Sequence, residues 1–317
     1  AEKEGYYTAY LYQALPFYLL GTYYGNGPTY PDNGGATLNE SVFMSSNDLY
    51  SMALAYFDSA MVYADDYQAK IIHSLMGRQY LYAGNFSAAA QHSILGLQEG
   101  DEPFEAVPGE ENPWPNWYWY EAGSNRTRYT LASRFKFLLG EDFEDTNGNG
   151  TWDSTEVFTD CAVLGADVGQ GDGIYNGPSE PEEIARLLMS AAAMTPGQSY
   201  VRYFQMKYPN ADSPIPIINW QENHLIIAEL ALRNESVSVS ALDAVNAVRA
   251  SHGLSSLGSI DFNLLLHERD KELFCQGQRL IDQNRFPDLL SWHIIGEGTW
   301  HYLPVPFEEE LSNPNYP

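Results

Sequence analysis

The chain has 317 residues, 44% of them hydrophobic, enough to bury one large core or two smaller ones. Sixteen Lys and Arg face 42 Asp and Glu, a formal charge of −26; such a surface repels nucleic acid and anionic headgroups, favours cations and neutral or basic ligands, and also serves plain solubility. No apolar run is as long as a membrane span, and the two cysteines, Cys161 and Cys275, are too few for a disulfide scaffold and lack metal spacing, so they form one bridge or none.

The chain opens without a basic region leading into an apolar stretch, so a processed or truncated product is expected. Glu4 to Tyr24 reads as a helix, and Gly25-Asn26-Gly27-Pro28 ends it with loop chemistry. Residues 25–47 read as loop, with Ser46-Asn47-Asp48 offering N-cap candidates for the next helix. Leu49, Met52, Ala53, Tyr56, Phe57 and Ala60 follow helical spacing, and Ile72, Leu75, Met76 and Tyr80 share one face of another helix. Gly84-Asn85 breaks that helix, and a third begins at Phe86.

Gly77, Tyr80, Gly84, Phe86 and Ala89 fall where a tetratricopeptide repeat places small, aromatic, turn, aromatic and small residues. Small residues let the two helices approach and the aromatics fill the groove beside them. A looser copy appears at His224–Leu232 and Ala241–Ala250, with Ala228 at the small position. Two separated helix pairs imply a mainly α, helical-repeat bundle interrupted by a long loop-rich insertion, here about residues 99–219, within one domain spanning 1–317.

The insertion carries two motifs. Residues 145–156 match a twelve-residue EF-hand loop. Asp145, Asn147, Asn149, Asp153 and Glu156 supply side-chain oxygens, Thr151 a backbone carbonyl, and Gly150 the sharp turn. The expectation is a structural calcium, since a long loop poor in apolar residues cannot hold one shape by burial. A weaker echo at Asp172–Asn176, with Asp160 and Asp167, leaves a second site open; the alternative for the first is a solvated Asn-Gly turn. The other motif, residues 113–120, holds five aromatics in eight residues, with Arg126 and Arg128 close behind. Aromatic faces stack on sugar rings and guanidinium groups donate to hydroxyls, so Trp114, Trp117, Tyr118, Trp119, Tyr120, Arg126 and Arg128 are the candidate ligand contacts; anchoring of a loop to the core is the alternative.

Beyond Asp261 comes a helix carrying Glu268-Arg269, Glu272-Leu273, then Gly277, Arg279 and Asp282, followed by Leu303-Pro304-Val305-Pro306, Glu310 and Asn313-Pro314. Glu268, Arg269 and Glu272 have the spacing of helix-surface ion pairs, and Gly277 is expected to break the helix. These motifs, in this order, resemble the SusD/RagB family of outer-membrane nutrient-binding lipoproteins. His224–Glu229, Val245–Leu254 and the opening helix running into Tyr23-Tyr24-Gly25 fit the same pattern. The lipidated N-terminal cysteine and longer lead-in usual in the family are not seen in this chain, and the calcium-like loop lies outside the common pattern.

The resemblance implies a tetratricopeptide-like bundle of SusD type on the extracellular face of a Gram-negative outer membrane, held there by a lipid anchor. It implies a non-catalytic protein that captures oligosaccharide or peptide and passes it to a SusC-like TonB-dependent transporter barrel. Glu268, Arg269, Arg279 and Asp282 would hold the C-terminal segment on the bundle. The alternatives are a helical-repeat interaction scaffold and a secreted hydrolase; no Gly-x-Ser-x-Gly elbow, His-Glu-x-x-His helix or phosphate loop selects the latter.

Overall fold

A computed structural model describes residues 2–29, 42–109, 115–123, 143–149, 152–158, 175, 189–192, 202–289 and 301–313. These are mostly helical. Helix α1 (Glu2–Tyr23) packs on α2 (Ser46–Met61), α3 (Asp66–Tyr82) on α4 (Phe86–Leu95), and α6 (Trp220–Leu232) on α7 (Ala241–Ser251). Short α5 (Trp117–Ala122) lies between these groups in sequence, and α8 (Phe262–Glu272), α9 (Arg279–Arg285) and α10 (Phe307–Ser312) complete the described helices.

Local chemistry sets the starts of these helices. Asp65 and Gln68 form a reciprocal capping box, and Asn85, Asn219, Ser240 and Asp261 each accept a backbone N–H from the first turn. The cap of α2 is Ser45, one residue earlier than the Ser46-Asn47-Asp48 expectation. Ser46 Oγ instead donates to the carbonyls of Gly21 and Gly25, tying α2 to the end of α1.

The described residues near that joint are not all loop. Strand β1 (Asn26–Thr29) pairs antiparallel with β2 (Val42–Ser45), with Asn26 opposite Ser45. Alternation over four residues is too brief a signal to separate such strands from a loop. Two more two-stranded ladders lie further on: β3 (Phe104–Ala106) with β6 (Ile215–Ile218), and β4 (Met189–Ala192) with β5 (Arg202–Gln205). The β3–β6 pairing pins together the two ends of the stretch read as an insertion.

The core runs through the three helix pairs. It contains Leu11, Tyr18, Phe57, Ile72, Leu75, Leu225, Ile227, Val245 and Leu265. The repeat residues act as their spacing suggests. A Cβ placed on Gly77 would lie 2.5 Å from Ser93 Oγ and 3.2 Å from the Ser93 backbone nitrogen, so only glycine lets α3 and α4 come this close. The next layer is stitched by polar bonds. Asn223 Nδ2 donates to the carbonyls of Ser93 and Leu97 at 2.9 Å each, and Leu97 N donates to Ser74 Oγ at 2.8 Å.

The surface-pair expectation for α8 is corrected. Its charged residues are buried and reach across helices. Arg269, 0% exposed, grips Asp282 of α9 through two bonds of 2.8 and 3.0 Å. Glu268 accepts from Arg249 of α7 at 2.8 Å and from Lys271 at 3.1 Å; Glu272 meets His252 at 2.8 Å. Arg285 of α9 pairs with Glu229 of α6 and with Asp282, while Arg78 of α3 meets Glu222 of α6 at 3.0 Å. These helices face one another with charged sides inward, so Arg269, Arg249, Arg78 and Arg285 each find a partner across an interface, while Lys271–Glu268 and Arg285–Asp282 pair within one helix. Arg279 pairs with Asp270 at 3.4 Å. Helix α8 ends at Glu272, before Gly277. The turn that follows holds Cys275 at φ 57° and Gly277 at φ 79°, and Lys207 Nζ donates to the carbonyls of Glu272 and Phe274.

The Leu-Pro-Val-Pro strip lies along the bundle as an extended segment before α10. Leu303 N donates to the Tyr23 carbonyl at 2.7 Å, the Tyr302 ring covers Gly25, and Asn284 Nδ2 donates to the His301 carbonyl. Cys161 lies outside the described residues.

Candidate functional site

The aromatic motif is a helix rather than an extended loop. Asn116, 1% exposed, organises it: its Oδ1 accepts from the backbone N–H groups of Tyr118 and Trp119, and its Nδ2 donates to the Ser213 carbonyl at 2.8 Å. Helical spacing over Trp117–Ala122 sends neighbouring rings to different sides. Tyr118 turns inward and stacks on Tyr208 at 5.5 Å, while the Tyr208 hydroxyl donates to the Cys275 carbonyl. Burial pushes the Tyr118 phenol up to about 12. Tyr23 lies close by, its hydroxyl near Gly277, and burial likewise lifts it to about 12. Tyr118 therefore anchors α5 to the α8–α9 turn.

The other rings adjoin one another. Trp117 is 58% exposed and lies 5.3 Å from Tyr120, whose ring is 6.3 Å from that of Trp119. Trp119 and Tyr120 are half-buried. Three adjoining rings, Trp117 exposed and the other two half-buried, make an apolar ledge. Such a ledge suits a sugar ring, whose C–H face stacks on π-surface. Gly123 closes the helix where a Cβ would strike the Trp119 carbonyl at 2.6 Å, which fixes the chain behind the ledge. Trp114, Arg126 and Arg128 lie outside the described residues.

The acidic loop is closed on itself. Phe143 pairs with Phe158 across its neck, and Trp152 stacks on Tyr175 at 4.6 Å. Asp145 Oδ1 accepts from the N–H groups of Gly148 and Asn149 at 2.6 and 3.1 Å. The amides of Asn147 and Asn149 both donate to Asp153 Oδ2, at 2.6 and 3.1 Å. Glu156, 5% exposed, accepts from Thr146 N at 2.8 Å and from Asp153 N at 3.0 Å. Asn147, Asn149 and Asp153 thus bond to one another inside the loop while Asp145 and Glu156 hold its backbone N–H groups, and all five carry side-chain oxygens, the donor type a hard cation takes. Among the described residues no three His, Cys, Asp or Glu side chains form a metal cluster, so a calcium here would draw also on the Asn side chains. Thr151 and Gly150, and Asp160, Asp167 and Asp172 of the weaker echo, lie outside the described residues.

A cleft of about 310 Å³, invisible in the sequence, opens where the C-terminal strip crosses the bundle, lined by Thr22, Ser46, Tyr50, Tyr82, Arg285 and Tyr302 among others. Its polar groups already serve one another or the fold: Thr22 bonds Tyr50 at 3.0 Å, Tyr82 bonds Gln278 at 2.6 Å, and Arg285 pairs with Glu229 and Asp282. It is a structural joint rather than a recognition site. Only the placement of the Tyr-Leu-Pro strip beside the first helix end could have signalled it.

No protein-family model matches this chain, and no curated protein matches it in sequence. Solved structures do match it. A SusD-like carbohydrate-binding protein from Bacteroides fragilis aligns over 97% of this chain and 78% of its own, at TM-score 0.64 and 15% identity. The fold is SusD-like. A laminarin-binding SusD-like protein shares it over 97% of this chain and 77% of its own, at TM-score 0.57 and 18% identity. So does surface glycan-binding protein A from Bacteroides uniformis, over 99% of this chain and 77% of its own, at TM-score 0.57 and 15% identity. No helix among the described residues is long and apolar enough to cross a membrane.

Proposed function

We propose that this protein is a non-catalytic, cell-surface glycan-binding member of the SusD/RagB family. It captures oligosaccharide on the ledge of Trp117, Trp119 and Tyr120 and passes it to a SusC-like TonB-dependent barrel in the outer membrane of a Gram-negative bacterium, where a lipid anchor holds it. The carrying observation is the exposed Trp117 beside Tyr120 on a scaffold shared with carbohydrate-binding proteins. Exposed aromatic patches on folded proteins mark recognition surfaces. Trp114, Arg126 and Arg128 are further candidate ligand contacts in this reading, and Tyr118 positions the ledge.

The test is a screen of plant, algal and host glycans by calorimetry, repeated with Trp117→Ala. Loss of one stacking ring should weaken binding of a recognised oligosaccharide about tenfold, since a ring contact of this kind contributes about 1 kcal/mol or more. Unchanged affinity would remove the ledge from the site. Release of reducing ends by the purified protein would overturn the non-catalytic assignment. Purification from native outer membranes should bring a β-barrel with it.

The oxygen donors of Asp145, Asn147, Asn149, Thr151, Asp153 and Glu156 would hold one structural calcium. The ion would supply charge neutralisation and cross-link a segment that has little core of its own. Chelation should lower the thermal midpoint and speed proteolysis within residues 143–158, with both effects reversed by Ca²⁺ and absent in Glu156→Gln. Identical melting and cleavage with and without Ca²⁺ would exclude the site.

A further inference from the structure

Histidines are scattered in the sequence, yet the repeat packing brings two of them together. His73 lies on α3 one turn before Gly77, and His92 lies on α4 beside Ser93, the residue Gly77 touches. Close helix approach therefore places the imidazoles face to face. Their Nδ1 atoms are 3.0 Å apart and their ring centroids 5.1 Å, at an interplanar angle of 47°. Both rings are partly exposed. We propose that His73 and His92 form a two-imidazole site for a borderline divalent transition ion of the Ni²⁺, Cu²⁺ or Zn²⁺ class, distinct from the acidic loop and from the aromatic ledge.

Distance supports this first. An ion bonded to two imidazoles at about 2.0–2.1 Å holds the nitrogens about 2.9 Å apart at a right angle and about 3.4 Å apart at a tetrahedral angle. The observed separation of 3.0 Å lies between these two values, so the rings must rotate to aim both lone pairs at one ion but need not move apart. The imidazole hydrogen bond now present uses one Nδ1 proton; on binding, the donor ring gives that proton to solvent and takes one from solvent at Nε2, so both neutral rings offer an Nδ1 lone pair and no net proton is released. Partial exposure leaves the remaining coordination positions to water.

Electrostatics agree. Burial holds both imidazoles below their ordinary 6.5, and His73 further disfavours protonation of His92, so the ligating neutral form prevails at neutral pH. Exposed Asp58 on α2 is near enough to draw positive charge toward His92, and the Tyr80 ring walls the site at 5.4 Å from His92. A net charge of −26 attracts any cation to the surface. Soft-to-borderline ions select imidazole where calcium does not. Other described histidines are differently engaged: His252 is bonded to Glu272, His301 to Asn284, His224 is buried against Trp220, and His267 lies on α8 with a contact of its own.

The experiment titrates the full chain with Ni²⁺ at neutral pH in excess Ca²⁺, which saturates carboxylate sites. One Ni²⁺ per chain is expected, and His73→Gln and His92→Gln should each weaken it about tenfold or more. Absence of a one-equivalent isotherm in the wild type, or unchanged affinity in both variants, overturns the site. A variant-independent readout is the imidazole NMR spectrum of the wild-type protein: paramagnetic Ni²⁺ at substoichiometric levels should broaden the His73 and His92 ring signals first. Broadening that begins at other histidines overturns the proposal even where a variant folds poorly.

Discussion

Arg269 shows how far a residue's role can depart from its sequence context. On a helical wheel its neighbours Glu268 and Glu272 look like solvent-facing partners. In the fold it is 0% exposed, and its planar guanidinium meets both oxygens of Asp282, thirteen residues on. A buried pair adds little over a well-packed apolar pair, but halving it strands a charge. Asp282→Ala should therefore cost about 3–5 kcal/mol in urea unfolding, while the double change Arg269→Met with Asp282→Leu should recover most of it. A cost below about 1 kcal/mol for Asp282→Ala would mean that water reaches the guanidinium and replaces the carboxylate. Sequence motifs marked both residues as structural; which partner each took was not legible, because ion-pair spacing along one helix carries no information about the helices packed against it. The same limit hid the two facing histidines, although the register set by Gly77 against Ser93 was a usable signal for them.

At the scale of elements, periodicity and capping carried the reading. Helices α2, α3, α4, α6 and α7 lie where apolar spacing and turn residues put them, and the small residue Gly77 marks a close contact between α3 and α4. Gly77→Ala places a methyl 2.5 Å from Ser93 Oγ, so the helices must part or Ser93 must turn; overpacking of this kind costs about 1–3 kcal/mol. Ser93→Ala removes the nearest atom but leaves the backbone nitrogen at 3.2 Å, so the double variant should regain part of the loss in thermal unfolding and not all of it. Full additivity of the two changes would place the clash elsewhere. Less was legible where elements are short. Four-residue strands give two alternations at most, and α5 was masked by the prolines before it, although Asn116 is a strong N-cap residue and was the available clue. The aromatic cluster was visible as composition; which rings support and which face out depended on the helical twist and on Tyr208, ninety residues away in sequence.

For the whole molecule, two cues in the composition point to different ligands: aromatic content suits sugars, and a charge of −26 suits basic peptides. Ionic strength separates them, because charge attraction is screened over about 10 Å at 0.1 M salt whereas ring stacking is not. The ledge of Trp117, Trp119 and Tyr120 contains no charged group among its rings, so a neutral oligosaccharide bound there gains nothing from the distant field. Its affinity should change by less than about twofold between about 0.05 and 0.5 M NaCl, with calcium held constant so that the acidic loop stays in one state. A basic peptide drawn to the acidic surface would instead lose affinity steeply over that range, mainly through a slower association rate. Rates measured by surface plasmon resonance at several salt concentrations resolve the two cases. A ligand whose association rate falls with salt while Trp117→Ala leaves its affinity unchanged would move recognition off the ledge and onto the charged surface, and the glycan assignment would fail with it.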